Sequence, residues 1–102
     1  MRRTIKRKPT TPGEMLSEEF LIPAELTQSE FALHLGVDVK TINRLINGRT
    51  RLTPALAYKI AAALNTTPDF WMNLQMAVDL YDVSADSAPL PLPLPQFQHP
   101  QG

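Results

Sequence analysis

Apolar residues fall into five stretches of helical period, each opened by a residue that can cap a helix. Thr11-Pro12-Gly13-Glu14 places a capping Thr before Pro at the first helical position and Glu at the third, which predicts a helix running to about Leu21. Leu16 and Phe20 face the core of that helix, while Glu14, Glu18 and Glu19 make an acidic outside that is either solvated or turned to a basic protein partner. Thr27 with Glu30 opens a second helix, buried through Phe31, Ala32 and Leu35, and Gly36 stops it in a left-handed conformation. Leu26, just ahead of Thr27, can staple the helix entry. After about three residues of turn, Asp38 caps a third helix.

That third helix has two distinct sides. At roughly 100° per residue, Val39, Ile42, Leu45 and Ile46 share a packing face, and Lys40, Asn43, Arg44 and Asn47 gather opposite without a carboxylate among them. Two short helices joined by a glycine-containing turn, with polar hydrogen-bonding groups presented outward, are the pattern of a helix-turn-helix. Arg44 and Lys40 can donate to guanine O6 and N7, Asn43 and Asn47 can pair with adenine or with phosphate, and Val39 can touch a thymine methyl. Thr27, Gln28, Arg49 and Arg51 suit phosphate contacts.

Thr53-Pro54 opens a fourth helix, ALAYKIAAAL, apolar or small on nearly every side. It is expected to be central and buried, with Tyr58 packing and Asn65 as its stop. Thr67-Pro68 opens a fifth, DFWMNLQMAVDLYD, whose Gln75, Asp79 and Asp82 form a polar arc roughly 60° wide. Its other side chains spread over about 260°, far beyond the roughly 100° stripe that one core needs. Trp71, Met72, Met76 and Leu80 are therefore expected to form a homodimer interface through this helix. The other arrangement is a larger core with the tail folded over it.

Charge sharpens this picture although the net charge is zero. Five basic and no acidic groups lie in residues 1–10, and four bases against two acids in residues 27–52, while acid dominates residues 11–26 and 53–82. Positive charge thus collects on an amino-terminal arm and around the third helix, where a phosphate backbone needs it. The arm, with Arg2, Arg3, Lys6, Arg7 and Lys8, either follows DNA or is a solubilising tail. Beyond Ser84, APLPLPLP excludes helix and central strand and predicts an extended tail, disordered or loosely docked through Leu90, Leu92, Leu94 and Phe97.

The organisation expected is all-α: a basic arm (1–10), a five-helix repressor-like helix-turn-helix domain (11–82) and a Pro/Leu-rich tail (83–102). No cysteine is present, and His34 and His99 are too few and too far apart for a metal site. No nucleophile–base pair or phosphate-binding loop points to an enzyme, and no cofactor is expected. No apolar run reaches the roughly 20 residues that span a bilayer, so no membrane association is expected and the cytoplasm is the expected location.

Four segments together carry a family resemblance: PGEML (Pro12 to Leu16), TQSEFALHLGVDVKTINRLINGR (Thr27 to Arg49), LTPALAYKIAAAL (Leu52 to Leu64) and TPDFWMNLQMAVDL (Thr67 to Leu80). The chain resembles the HigA antitoxins within the Xre/Cro-type helix-turn-helix superfamily. The resemblance implies base reading at Lys40, Thr41, Asn43 and Arg44, a backbone contact at Gln28, and a homodimer that represses its own operon. It also implies a HigB-type messenger-RNA endonuclease toxin as partner, with no toxin-binding residues assigned. The competing expectation is a freestanding regulator of the same fold without a toxin.

Overall fold

The computed structural model describes residues 7–86 and 89–98. Five helices follow one another: α1 (Pro12–Met15), running without a break into a π-helical segment (Leu16–Leu21), then α2 (Gln28–Leu35), α3 (Val39–Ile46), α4 (Pro54–Leu64) and α5 (Pro68–Ser84). No strand occurs among the described residues.

Each expected cap is present. Thr11 and Thr27 form reciprocal capping boxes with Glu14 and Glu30, Asp38 Oδ1 accepts from the Lys40 N–H at 2.8 Å, and Thr53 and Thr67 accept from Leu56 and Phe70. The two backbone and side-chain bonds from Thr27 hold the Glu30 carboxyl below its ordinary range. Gly36 (φ 75°) and Asn65 (φ 56°) end α2 and α4 in the left-handed conformation.

The first helix departs from the expected regular form. Ile22 and Leu26 donate to Ser17 and Leu21, each five residues back. Pro23 supplies the reason, because in a regular α-helix its ring would clash with the carbonyl of Glu19 four residues earlier. Glu25 (φ 56°) then reverses the chain toward α2.

The core is built from Leu16 and Leu21, Phe31 and Ala32 of α2, Ile42 and Leu45 of α3, and Leu56, Ala57, Ile60 and Ala61 of α4, closed by Leu52 and Trp71. Trp71 is fully buried, its ring 5.4 Å from Phe20 and 5.2 Å from Phe70, and its Nε1–H donates to Thr66 Oγ1 at 2.7 Å. The expectation that Trp71 lies between two copies is thereby corrected: this chain's own core encloses it. Helix α4 is also not buried all round. Ala55, Lys59 and Ala62 are exposed, and Tyr58 stands 68% exposed rather than packed. Small side chains raise the apolar fraction of a helix without requiring cover, so apolar composition overstates its burial.

Helix α5 extends two residues past the expected end at Asp82. Leu90, Leu92, Leu94 and Phe97 are exposed, with a single 3-10 turn at Pro95–Phe97, so they do not cover α5. Arg2, Arg3 and Lys6 of the arm, and His99, lie outside the described residues.

Candidate nucleic-acid interface

Helix α3 turns Ile42 and Leu45 inward and leaves Val39, Lys40, Asn43, Arg44 and Asn47 exposed, with Thr41 half-buried at the edge. Val39 is expected on the packing side but stands 40% exposed, which leaves it able to meet a base methyl. The outer surface is ordered by its own hydrogen bonds. Asn43 Nδ2 donates to Gln28 Oε1 at 3.1 Å, and Asn47 Nδ2 donates to Asn43 Oδ1 at 3.3 Å. An amide has two donor hydrogens and two acceptor lone pairs, so Asn43 keeps one of each for the N6–H and N7 of an adenine. Gln28 keeps its NH₂ for a phosphate or a base acceptor. Thr27 Oγ1 accepts the Glu30 N–H and keeps its hydroxyl proton, the part a phosphate oxygen would accept.

What seats α3 is Gly13, packed directly on the backbone of α3. A Cβ at this position would fall 2.0 Å from the Leu45 carbonyl oxygen and 2.7 Å from the Ile46 Cα. In the sequence Gly13 reads only as part of a helix start. The signal for more is a glycine at the second position of a Thr-Pro-Gly-Glu start, where Ala would serve the helix better.

Beyond α3 the chain turns through Gly48, with the Arg49 N–H donating to the Arg44 carbonyl at 2.8 Å. Arg49 is exposed and borders, with Lys8, Thr11 and Gly13, a cleft of about 470 Å³. Arg49 and the root of the arm thus line one cleft, although the sequence separates them by forty residues. Arg51, expected to suit a phosphate, is exposed and has an acidic partner in the free protein. Its Nη1 donates to Asp79 Oδ1 at 2.7 Å, and that bond raises the Arg51 pKa and, together with a bond from Gln75, lowers the Asp79 pKa.

Gln75 corrects the reading of α5. The polar arc is split: Gln75 is 6% exposed and its Oε1 accepts the buried Leu52 N–H at 2.8 Å, Asp79 is half-buried and Asp82 is exposed. With Gln75 turned in, Met72 is half-buried against the core while Met76 (53%), Leu80 (64%) and Val83 stand exposed. Among the described residues no His, Asp or Glu cluster is placed to hold a metal ion, and no helix is long and apolar enough to cross a membrane.

Residues 18–71 match the family model described as helix-turn-helix, and the fold and the α3 surface define a DNA-binding regulator of that class rather than an enzyme. Antitoxin HigA-1 of Vibrio cholerae is 51% identical over 82 residues, covering 80% of this chain and 76% of that protein. The uncharacterized HTH-type transcriptional regulator YbaQ of Escherichia coli K12 is 47% identical over 77 residues, covering 76% and 68%. The Pseudomonas aeruginosa antitoxin HigA, solved with the higBA promoter, superposes with a TM-score of 0.74 at 29% identity, covering 76% of this chain and 85% of that one. The chain belongs to the HigA-type antitoxins of the helix-turn-helix family.

Proposed function

We propose that this protein binds a pseudo-palindromic operator as a homodimer, represses its own operon in the cytoplasm, and neutralises a HigB-type toxin encoded beside it. The observation that carries the DNA half is the α3 surface, where Lys40, Arg44 and the Gln28–Asn43–Asn47 hydrogen-bond chain face outward together. Arg44 is the strongest candidate for a bidentate guanine contact, with Lys40, Asn43, Asn47, Thr41 and Val39 around it. Gln28, Thr27 and Arg49 serve the phosphates. The toxin half is supported by the 51% identity to an antitoxin.

Arg44→Ala is expected to weaken operator binding by about 1–3 kcal/mol and to leave toxin neutralisation intact. Titration of a fluorescent operator fragment, together with co-expression and co-purification with the neighbouring gene product, tests both halves. Full operator affinity in Arg44→Ala would remove α3 from the reading role. The freestanding-regulator reading is favoured by the regulator name of the Escherichia coli relative. It prevails if no neighbouring product co-purifies or is neutralised.

The homodimer is supported by the exposed apolar side of α5, where Met76, Leu80 and Val83 would leave a hydrophobic patch in water. Pairing α5 with its copy would present two α3 surfaces to half-sites roughly 34–36 Å apart. Leu80→Asp is expected to raise the dimer dissociation constant about tenfold or more, read by sedimentation velocity. A wild-type protein that sediments as a monomer at micromolar concentration contradicts the pairing.

A further inference from the structure

The loop between α3 and α4 is held from a third direction, by α5. Asp79 Oδ1 accepts both from Arg51 Nη1 at 2.7 Å and from Gln75 Nε2 at 3.0 Å, and Gln75 Oε1 in turn accepts the Leu52 N–H at 2.8 Å. The order of these bonds has a direction. A carboxylate only accepts, so Asp79 forces Gln75 to present its NH₂ to it, and the amide oxygen is thereby aimed at Leu52. Arg51 and Leu52 are neighbours on the loop, so the side chain of one and the backbone of the other are gripped by the same helix.

We propose that Asp79 and Gln75 are positioning residues for operator binding: they brace residues 48–53 against α5, and Arg51 is a strut of that brace rather than a phosphate contact. The loop begins where α3 ends, at the Arg49-to-Arg44 backbone bond, and ends at the Thr53 cap. Fixing its middle sets where Arg49 stands beside the carboxyl end of α3. The geometry also distinguishes the two roles of Arg51 by sign. In the phosphate role, Asp79 is a competitor for the guanidinium. In the strut role, it is what makes the guanidinium useful.

This inference rests on the operator-binding reading, and Asp79→Ala, Arg51→Ala and the double variant test it in the full chain. As a brace, Asp79→Ala weakens operator binding about three- to thirtyfold while the slope of log affinity against log salt stays unchanged. Arg51→Ala then weakens binding with the same unchanged slope, and the double variant loses no more than Asp79→Ala alone. Tighter binding by Asp79→Ala, or a slope reduced by about one in Arg51→Ala, overturns the proposal and makes Arg51 a phosphate contact.

A measurement on the free protein separates this from the operator reading itself. In Asp79→Ala the Leu52 amide exchanges faster with solvent and the amide resonances of Arg49 to Leu52 shift. Unchanged exchange and resonances overturn the brace. A wild-type protein that binds no fragment of its own promoter removes the operator reading, while the amide signals still decide whether α5 holds the loop.

Discussion

Trp71→Ala is expected to destabilise the protein by about 3–5 kcal/mol, the range for emptying a buried aromatic site. The side chain is fully buried, packed between Phe20 and Phe70, and bonded through Nε1 to Thr66. A small domain has only about 5–15 kcal/mol in total, so the loss is a large share of its stability and should lower the unfolding midpoint markedly. Urea titration followed by circular dichroism measures this directly. The same variant separates two placements of Trp71. In the core its loss destabilises the chain itself, whereas between two copies it would leave a folded monomer of near-normal stability.

Gly13→Ala is expected to displace α3 and to cost operator affinity more than stability. Two effects oppose each other at this position. Replacing Gly by Ala inside a helix ordinarily stabilises by about 0.5–1 kcal/mol through the unfolded chain and the helix backbone. Against this stands a Cβ placed 2.0 Å from the Leu45 carbonyl oxygen, where ordinary contact begins at 3.4 Å. Both neighbours are backbone, so α1 and α3 must separate by more than an ångström, at about 1–3 kcal/mol for the overpacked site. The clash wins. Base recognition tolerates only about half an ångström of misplacement, and each bidentate pair that can no longer form removes about a further 1–3 kcal/mol of binding. Urea unfolding and operator titration on the same preparation distinguish the two effects, and unchanged values in both would refute the close approach.

The starts and stops of the helices are legible in the sequence because they are local. A Thr or Asp hydroxyl or carboxylate reaches an N–H two or three residues away, and no distant part of the chain is consulted. The division of α3 into inner and outer sides is legible for the same reason, except at Val39 in its first turn, which stands 40% exposed. The facing of α5 is not. A helical projection tells which residues share a side, and Gln75 with Asp79 do, but what that side meets lies elsewhere in the chain: the Leu52 N–H, on a loop 23 residues away, takes the Gln75 oxygen, and Trp71, one turn earlier, enters the core. An unpaired buried N–H costs about 1–3 kcal/mol, so the Leu52–Gln75 bond favours the facing that turns Gln75 inward and leaves Met76 and Leu80 outside. The role of Gly13 is hidden for the converse reason, because close packing of two backbones leaves no side-chain pattern to read. Charge alone suggests a phosphate for Arg51, and its pairing partner lies 28 residues further on.

The Gln28–Asn43–Asn47 chain bears on how an operator would be searched for as well as recognised. Side chains left free in the unbound protein would each lose rotamer entropy on docking, about 1.5–2 kcal/mol for a Gln. Here three amides already restrain one another before any DNA arrives. They are also neutral, so no counterion release accompanies the contacts they make. Salt would set how tightly this protein holds DNA in general, through Lys40, Arg44 and Arg49, while the preference of the amides for one base pair over another would persist across ionic strengths. On this reading the amides of α3 and Gln28 would add selectivity without adding salt dependence, while Arg44, as a guanine contact, would contribute to both.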